Sequence, residues 1–156
     1  TLQRLGELVL ARSNTRWLLA QGAREHAPGH YPLIVAVHAA WLAGLWWLAW
    51  DNAVQPLWLA LFFLLQAGRV WVLATLGRRW TTRIIVLPGA PLVRRGPFRF
   101  IRHPNYLVVA GEIAVLPLAF GLPLFALVFS MLNAAVLTVR IRAEGRALAE
   151  APAPQA

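Results

Sequence analysis

Four long apolar runs leave this chain few ways to fold. "YPLIVAVHAAWLAGLWWLAW" (31–50), "VQPLWLALFFLLQAGRVWVLATLG" (54–77), "NYLVVAGEIAVLPLAF" (105–120) and "LPLFALVFSMLNAAVLTVRI" (122–141) approach or exceed the ~20 residues that cross a bilayer as helix. The third is the shortest. Of 156 residues 59% are hydrophobic and 13% charged, too few for a soluble surface. The class this implies is an all-α, polytopic integral membrane bundle, one domain over residues 1–148. It has four transmembrane helices, a loop over 78–104 and a helical extension after the fourth run. "TLQRLGELVLA" (1–11) reads either as the end of a further span or as an interfacial helix. The end, 149–156, is a disordered tail by composition.

Arginine placement orients the spans. All 15 basic residues are arginine, and the formal net charge is +9. Arg12, Arg16 and Arg24 precede the first run, and Arg78, Arg79, Arg83, Arg94, Arg95, Arg99 and Arg102 crowd 78–104. Arg142 and Arg146 follow the fourth run, while the turns at 51–53 and 120–123 have none. The positive-inside rule puts the arginine-rich segments in the cytoplasm and both turns outside. This pattern explains the basic charge by topology and anionic membrane lipid, so nucleic acid is not an expected partner. Absence of lysine excludes a Schiff base and a P-loop, and absence of cysteine excludes thiolate zinc sites and a Cys nucleophile. No His, Asp and Glu cluster has metal-ligand spacing, so no metal is expected.

Polar residues inside the runs are costly and face protein or a cavity. His38 lies in the first run, Gln66 and Arg69 in the second, Glu112 in the third, and Asn133 and Arg140 in the fourth. Taken singly, each has a structural reading. His38 is then a packed core histidine, Gln66 and Asn133 join helices, Arg140 reaches the interface, and Arg69 pairs with Glu112.

Spacing favours a site at one end. Asn133, Arg140 and Glu144 are seven and four residues apart and share a helix face. Gly145 leaves open space beside them. In "RHPNY", Pro104 suits a first helical position, and that N-terminus offers free N–H groups and a positive dipole end. His103 and Tyr106 border it. Arg102, the helix end and Arg140 would take a carboxylate, and Glu144 an ammonium, which together make a berth for a zwitterion.

"GPFRFIRHPNYLVV", a helical hairpin and "RIRAEGRAL" resemble the isoprenylcysteine carboxyl methyltransferase family. "RLGELVLARSN", "GHYPLIVAVHAAW" and "LQAGRVWVLATLGRRWTTRIIVLPGAPLV" extend the likeness over most of 4–148. They are similar to a bacterial branch, found beside type III polyketide synthases, that methylates alkylpyrones or alkylresorcinols. The resemblance implies S-adenosylmethionine as cofactor, bound by about 78–148 at the cytoplasmic side of the bacterial inner membrane. Its Arg-His-Pro-x-Tyr falls on Arg102, His103, Pro104 and Tyr106, with Leu107 adding backbone and apolar contacts. Its C-terminal Arg and Glu fall on Arg140 and Glu144. The family has a second glutamate where this chain has Gly145. Prenylcysteine specificity goes with an aromatic-rich C-terminal segment of the eukaryotic members and is not carried over.

The expected reaction is O-methylation of a lipophilic acceptor, whose oxygen must be aligned in a water-poor site. An enol or carboxylate is already ionised; for a phenol, His103 or Glu112 is the candidate base. Most of the tryptophans of the first two runs suit packing or the lipid interface. An acceptor cleft open to the bilayer would draw on Arg69, Trp71 and Asn133. Two rivals are an NADPH-dependent membrane reductase, holding a 2′-phosphate with the arginines of 78–102, and a non-catalytic lipid-binding subunit.

Overall fold

The computed structural model describes residues 2–150. Five helices account for most of them: α1 (Leu2–Ala20), α2 (Tyr31–Leu48), α3 (Pro56–Leu76), α4 (Pro104–Ala119) and α5 (Pro123–Glu150). Two short strands, β1 (Arg24–Glu25) and β2 (Ile85–Val86), pair antiparallel. Proline begins α3, α4 and α5, where its missing N–H is no loss. Turns on Gly77 (φ +54°) and Gly121 (φ +68°) follow α3 and α4.

Three helices, α2, α3 with the turn after it, and α5, are long and apolar enough to cross a membrane. The expectation of four clear spans is thereby narrowed. The third run forms a helix of only 16 residues, about 24 Å at 1.5 Å per residue, against a hydrocarbon core of ~30 Å. It cannot begin sooner, because His103 precedes a proline and adopts φ −127°, ψ 61°, outside the helical region. The fourth run extends well past its apolar part, as expected for a helical extension, and Ala149 and Glu150 belong to it. The rest of the expected tail, 151–156, lies outside the described residues.

Small residues set the packing of α3 on α4. A Cβ on Gly111 would lie 2.9 Å from Leu65 Cδ2, so the Leu65 side chain of α3 packs directly on the bare α4 backbone there. On the other side, α2 and α5 enclose Trp41, Leu45, Val109 and Ile113 of the core, with Phe125 and Phe129 packed against them. The Trp41 indole N–H donates to the Ile113 carbonyl at 3.3 Å. Trp47, Trp50, Leu57 and Leu124 stay largely exposed, an outward face suited to lipid.

The first segment forms a helix that runs parallel to α3. Gln3 meets Gln66, Glu7 meets Arg69 and Asn14 meets Gly77, at a nearly constant offset of 62 or 63 residues. Its buried stripe is Glu7, Ala11, Asn14 and Leu18, the 3.6-residue repeat of a helix face.

The two ends of the bundle differ. At one end Gln55 N–H donates to the Ala119 carbonyl at 2.8 Å and Asn52 Nδ2 to the Phe120 carbonyl at 2.8 Å, closing the arginine-free turns. The arginine-rich segments gather at the other end. There Arg24 pairs with Val86 and Glu25 with Ile85, and Ile84, Val86 and Ala147 form a small second core. The segment 78–104 is thus ordered against the last turns of α5. Gly96 (φ +57°) fixes its far end, where a Cβ would meet the Thr75 side chain at 2.5 Å.

Candidate active site

At the arginine-rich end, the first turn of α4 lies against the extension of α5. Tyr106 is the hub. Its hydroxyl accepts from Arg140 Nε at 2.8 Å and donates to Glu144 Oε2 at 2.7 Å. Arg140 and Glu144 are one helical turn apart, so both reach the same phenol from α5. Arg140 also donates through Nη1 to the Thr82 carbonyl at 2.7 Å, which ties the 78–104 segment to α5. The His103 ring stacks on Tyr106 with centroids 5.2 Å apart and planes at 16°. Its Nδ1 stands 3.7 Å from Glu144 Oε2.

Exposure within this group is graded. Arg140 is buried, whereas the side chains of His103 and Glu144 are 38% and 30% exposed. A buried cation, and a carboxylate and an imidazole each about a third exposed, therefore meet around one phenol. Pro104 is buried beneath them, and Arg102 and Leu107 are exposed beside them. Asn105, in the same first turn, has a buried Oδ1 without a donor. The groups present fit an amino-acid head: Glu144 for an ammonium, and Arg102 with the Asn105 N–H for a carboxylate, the Tyr106 and Leu107 N–H groups donating instead to the His103 carbonyl at 3.1 and 3.3 Å. Gly145 faces open space, and a Cβ there meets nothing within 4 Å.

A second polar cluster lies deeper, between α1, α3 and α4. Glu112, fully buried, accepts from Arg69 Nε at 2.8 Å and Nη2 at 2.6 Å, from Gln66 Nε2 at 2.9 Å, and from Arg4 Nη2. Glu7 accepts from Arg4 Nη1 at 3.0 Å, Gln3 Nε2 at 3.0 Å and Arg69 Nη1 at 3.4 Å. Two guanidiniums face two carboxylates, and the cluster is neutral.

The structure thus brings together His103, Tyr106, Arg140 and Glu144, while Arg102, Pro104 and Leu107 are their neighbours along the chain. It sets Glu112 apart from them, nine residues further along α4 than His103. Four donors occupy the Glu112 carboxylate, which leaves it poorly placed to accept a proton from an acceptor. Arg69 meets Glu112, whereas Trp71 is 52% exposed on α3 and Asn133 is buried on α5 with its Oδ1 unpartnered. Among the described residues no hydrogen bond joins Arg69, Trp71 and Asn133. His38 bonds through Nδ1 to the Ile34 carbonyl at 2.8 Å, the structural reading.

Sequence reasoning did not single out Thr82, which contributes a backbone carbonyl and so leaves no side-chain signature. Arg4 and Glu7 did leave one. Glu7 shares a helix face with Ala11, Asn14 and Leu18, and a carboxylate so placed needs a partner.

The isoprenylcysteine carboxyl methyltransferase (ICMT) family model matches residues 58–150, which contain both halves of the Tyr106 cluster. The chain belongs to the ICMT family. Members use S-adenosylmethionine as methyl donor, so at the level of the family this is a membrane methyltransferase. The chain is 39% identical over 162 residues to "Uncharacterized protein YpbQ" of Bacillus subtilis (strain 168), covering 96% of this chain and 92% of that one. It is 27% identical over 157 residues to an "Uncharacterized protein" of Haemophilus influenzae, covering 93% and 88%. No solved structure matches.

Proposed function

We propose that this ICMT-family protein is an S-adenosylmethionine-dependent O-methyltransferase of a lipophilic acceptor, of the alkylpyrone or alkylresorcinol kind, working at the bacterial cytoplasmic membrane. The observation that carries the reading is the Tyr106 hydroxyl shared by Arg140 and Glu144. It joins the two sequence motifs of the family into one zwitterion-binding surface. We place that surface on the cytoplasmic side, because the arginine-rich segments gather at that end.

When bound, the cofactor supplies a methyl group on a sulfonium, already activated for transfer. Arg140 is fixed by Tyr106 and the Thr82 carbonyl, so its charge is presented without reorganisation. Glu144 keeps one oxygen on Tyr106 and has its other for an ammonium. Arg102 and the Asn105 N–H, the amide of the first turn of α4 not given to the His103 carbonyl, receive the carboxylate. His103 is the better placed base of the two candidates. It borders the site and is partly exposed, whereas Glu112 is saturated. For an enol or phenol acceptor His103 takes the oxygen's proton as that oxygen gains the methyl; for a carboxylate no base is needed. The Arg69, Trp71 and Asn133 group is read as bounding the acceptor's path from the lipid. Trp71 has the outward exposure for that role, and Asn133 has a buried acceptor atom that a polar head would satisfy.

The test is purified protein in lipid with methyl-labelled donor and a panel of alkylpyrones, alkylresorcinols and fatty acids. Label transferred to an alkylpyrone or alkylresorcinol oxygen is the expected result. Donor binding with turnover of fatty acids alone would overturn the acceptor assignment. Saturable NADPH binding with no binding of the methyl donor would overturn the reaction.

A further inference from the structure

A cavity of about 550 Å³ opens between α1 and the segment after α3. Arg12, Thr15 and Arg16 line it from α1, and Tyr31, Thr82 and Arg83 from the other side. No lining residue is acidic. Arg83 is already engaged, donating to both oxygens of Glu25 at 3.1 and 3.0 Å and lying 5.0 Å from the Tyr31 ring centroid. Arg12 and Arg16 are not: among the described residues no carboxylate pairs with either. Like charges one helical turn apart repel, and this pair has no internal relief.

The depth of these residues in the bundle says which anion suits them. Because α1 runs parallel to α3, Glu7 is level with Arg69, deep in α3, and Asn14 is level with Gly77, where α3 ends. Arg12 and Arg16 therefore stand near the membrane edge. On the same helix face, towards the bilayer interior, Leu5 and Val9 are 55% and 67% exposed. One face thus offers two guanidiniums at the interface and an apolar track below them, and Leu8 continues that track into the cavity wall.

We propose that this cavity binds the phosphate of an anionic membrane phospholipid, with an acyl chain along Leu5 and Val9. Guanidinium suits phosphate through paired N–H donors, and the Thr15 hydroxyl, with whichever of the Tyr31 and Thr82 hydroxyls does not donate to the other, supplies further ones. The site is distinct from the zwitterion berth and does not depend on the methyltransferase reading. The two share a wall, since Thr82 gives its carbonyl to Arg140 and its hydroxyl contacts Tyr31 at 3.2 Å.

Native mass spectrometry of the full chain, released from an equimolar mixture of phosphatidylglycerol and phosphatidylcholine, tests this. Wild type is expected to retain phosphatidylglycerol with a preference of roughly tenfold or more, two arginines each contributing near the surface. Arg12→Gln/Arg16→Gln should lose the preference. Arg142→Gln/Arg146→Gln, which removes equal charge from exposed positions at the end of α5, should keep it. Equal retention of the two lipids by wild type, or equal loss in both double variants, would overturn the site. Inorganic phosphate is the second probe. If it displaces the lipid as effectively as a short-chain phosphatidylglycerol does, the apolar track contributes nothing and the lipid assignment falls.

Discussion

Two polar clusters of this protein use similar parts for opposite ends. Around Tyr106, one arginine and one glutamate from α5 share a phenol with α4, and the carboxylate and a histidine stay about a third exposed. Around Glu112, two arginines and two glutamates from three helices consume one another's valences, and Arg69 and Glu112 are buried. The first has bonding capacity to spare, which is the ground for proposing it as a binding site. The second is charge-balanced and ties α1 to the α3–α4 pair. Ionisable residues in a membrane protein are suspected of function by default. Spare bonding capacity, rather than charge alone, separates the two.

Breaking the deeper cluster should have the largest effect. Glu112→Leu leaves Arg69 and Arg4 facing Glu7 alone, an uncompensated charge among buried groups. It should destabilise the protein by about 3–5 kcal/mol, read as thermal or denaturant unfolding in detergent. Arg69→Met/Glu112→Leu removes one charge of each sign and keeps the Arg4–Glu7 pair. It should recover much of that loss. A single variant that unfolds like wild type would erase the distinction between the clusters.

The outer cluster should show the reverse pattern. Glu144→Gln keeps an acceptor for Tyr106 and loses the charge that faces an ammonium. Methyl donor affinity, by calorimetry, should fall by roughly 10–100-fold, as for a charge-assisted hydrogen bond of about 1.5–3 kcal/mol. The unfolding midpoint should hardly move, because the side chain is part-exposed. A large loss of stability with unchanged donor affinity would make this cluster structural too.

Much of this was legible in the residues. The apolar runs located α2, α3 and α5, and arginine placement located the two ends. The spacing of Arg140 and Glu144 and the proline of RHPNY brought the Tyr106 cluster within reach before any coordinates. The role of α1 was only partly legible: Glu7 calls for a partner, but the helix's stripe mixes Glu7 and Asn14 with Ala11 and Leu18 and has no clear apolar face of its own. Its partners come from helices more than sixty residues away, and pattern reading sees only local order. The meeting of Arg69 with Glu112 was open for the same reason. Thr82 acts through its main chain, which every residue possesses.

Packing between the clusters offers a smaller test. Gly111 lies on α4 between Tyr106 and Glu112, against Leu65 of α3. Gly111→Ala places a methyl 2.9 Å from Leu65 Cδ2, and the leucine must turn or the helices part. A loss of about 1–3 kcal/mol is expected. If α3 and α4 separate, the Glu112 cluster loosens while the Tyr106 cluster, held by α5, persists. Donor affinity should then survive better than thermal stability does.

The smallest effect should come from Gly145. It occupies a helix interior, where glycine costs conformational entropy, and a Cβ there meets nothing within 4 Å. Gly145→Ala should therefore stabilise the protein by about 0.5–1 kcal/mol. Gly145→Glu is the sharper variant, since it restores the paired glutamates of the family beside Glu144. The room is present on the solvent side, so folding should tolerate it. If the ammonium is held by Glu144 alone, the added carboxylate changes donor affinity little. A gain of several-fold would mean that the outer cluster is incomplete as it stands, and that the open space beside Glu144 belongs to the binding surface.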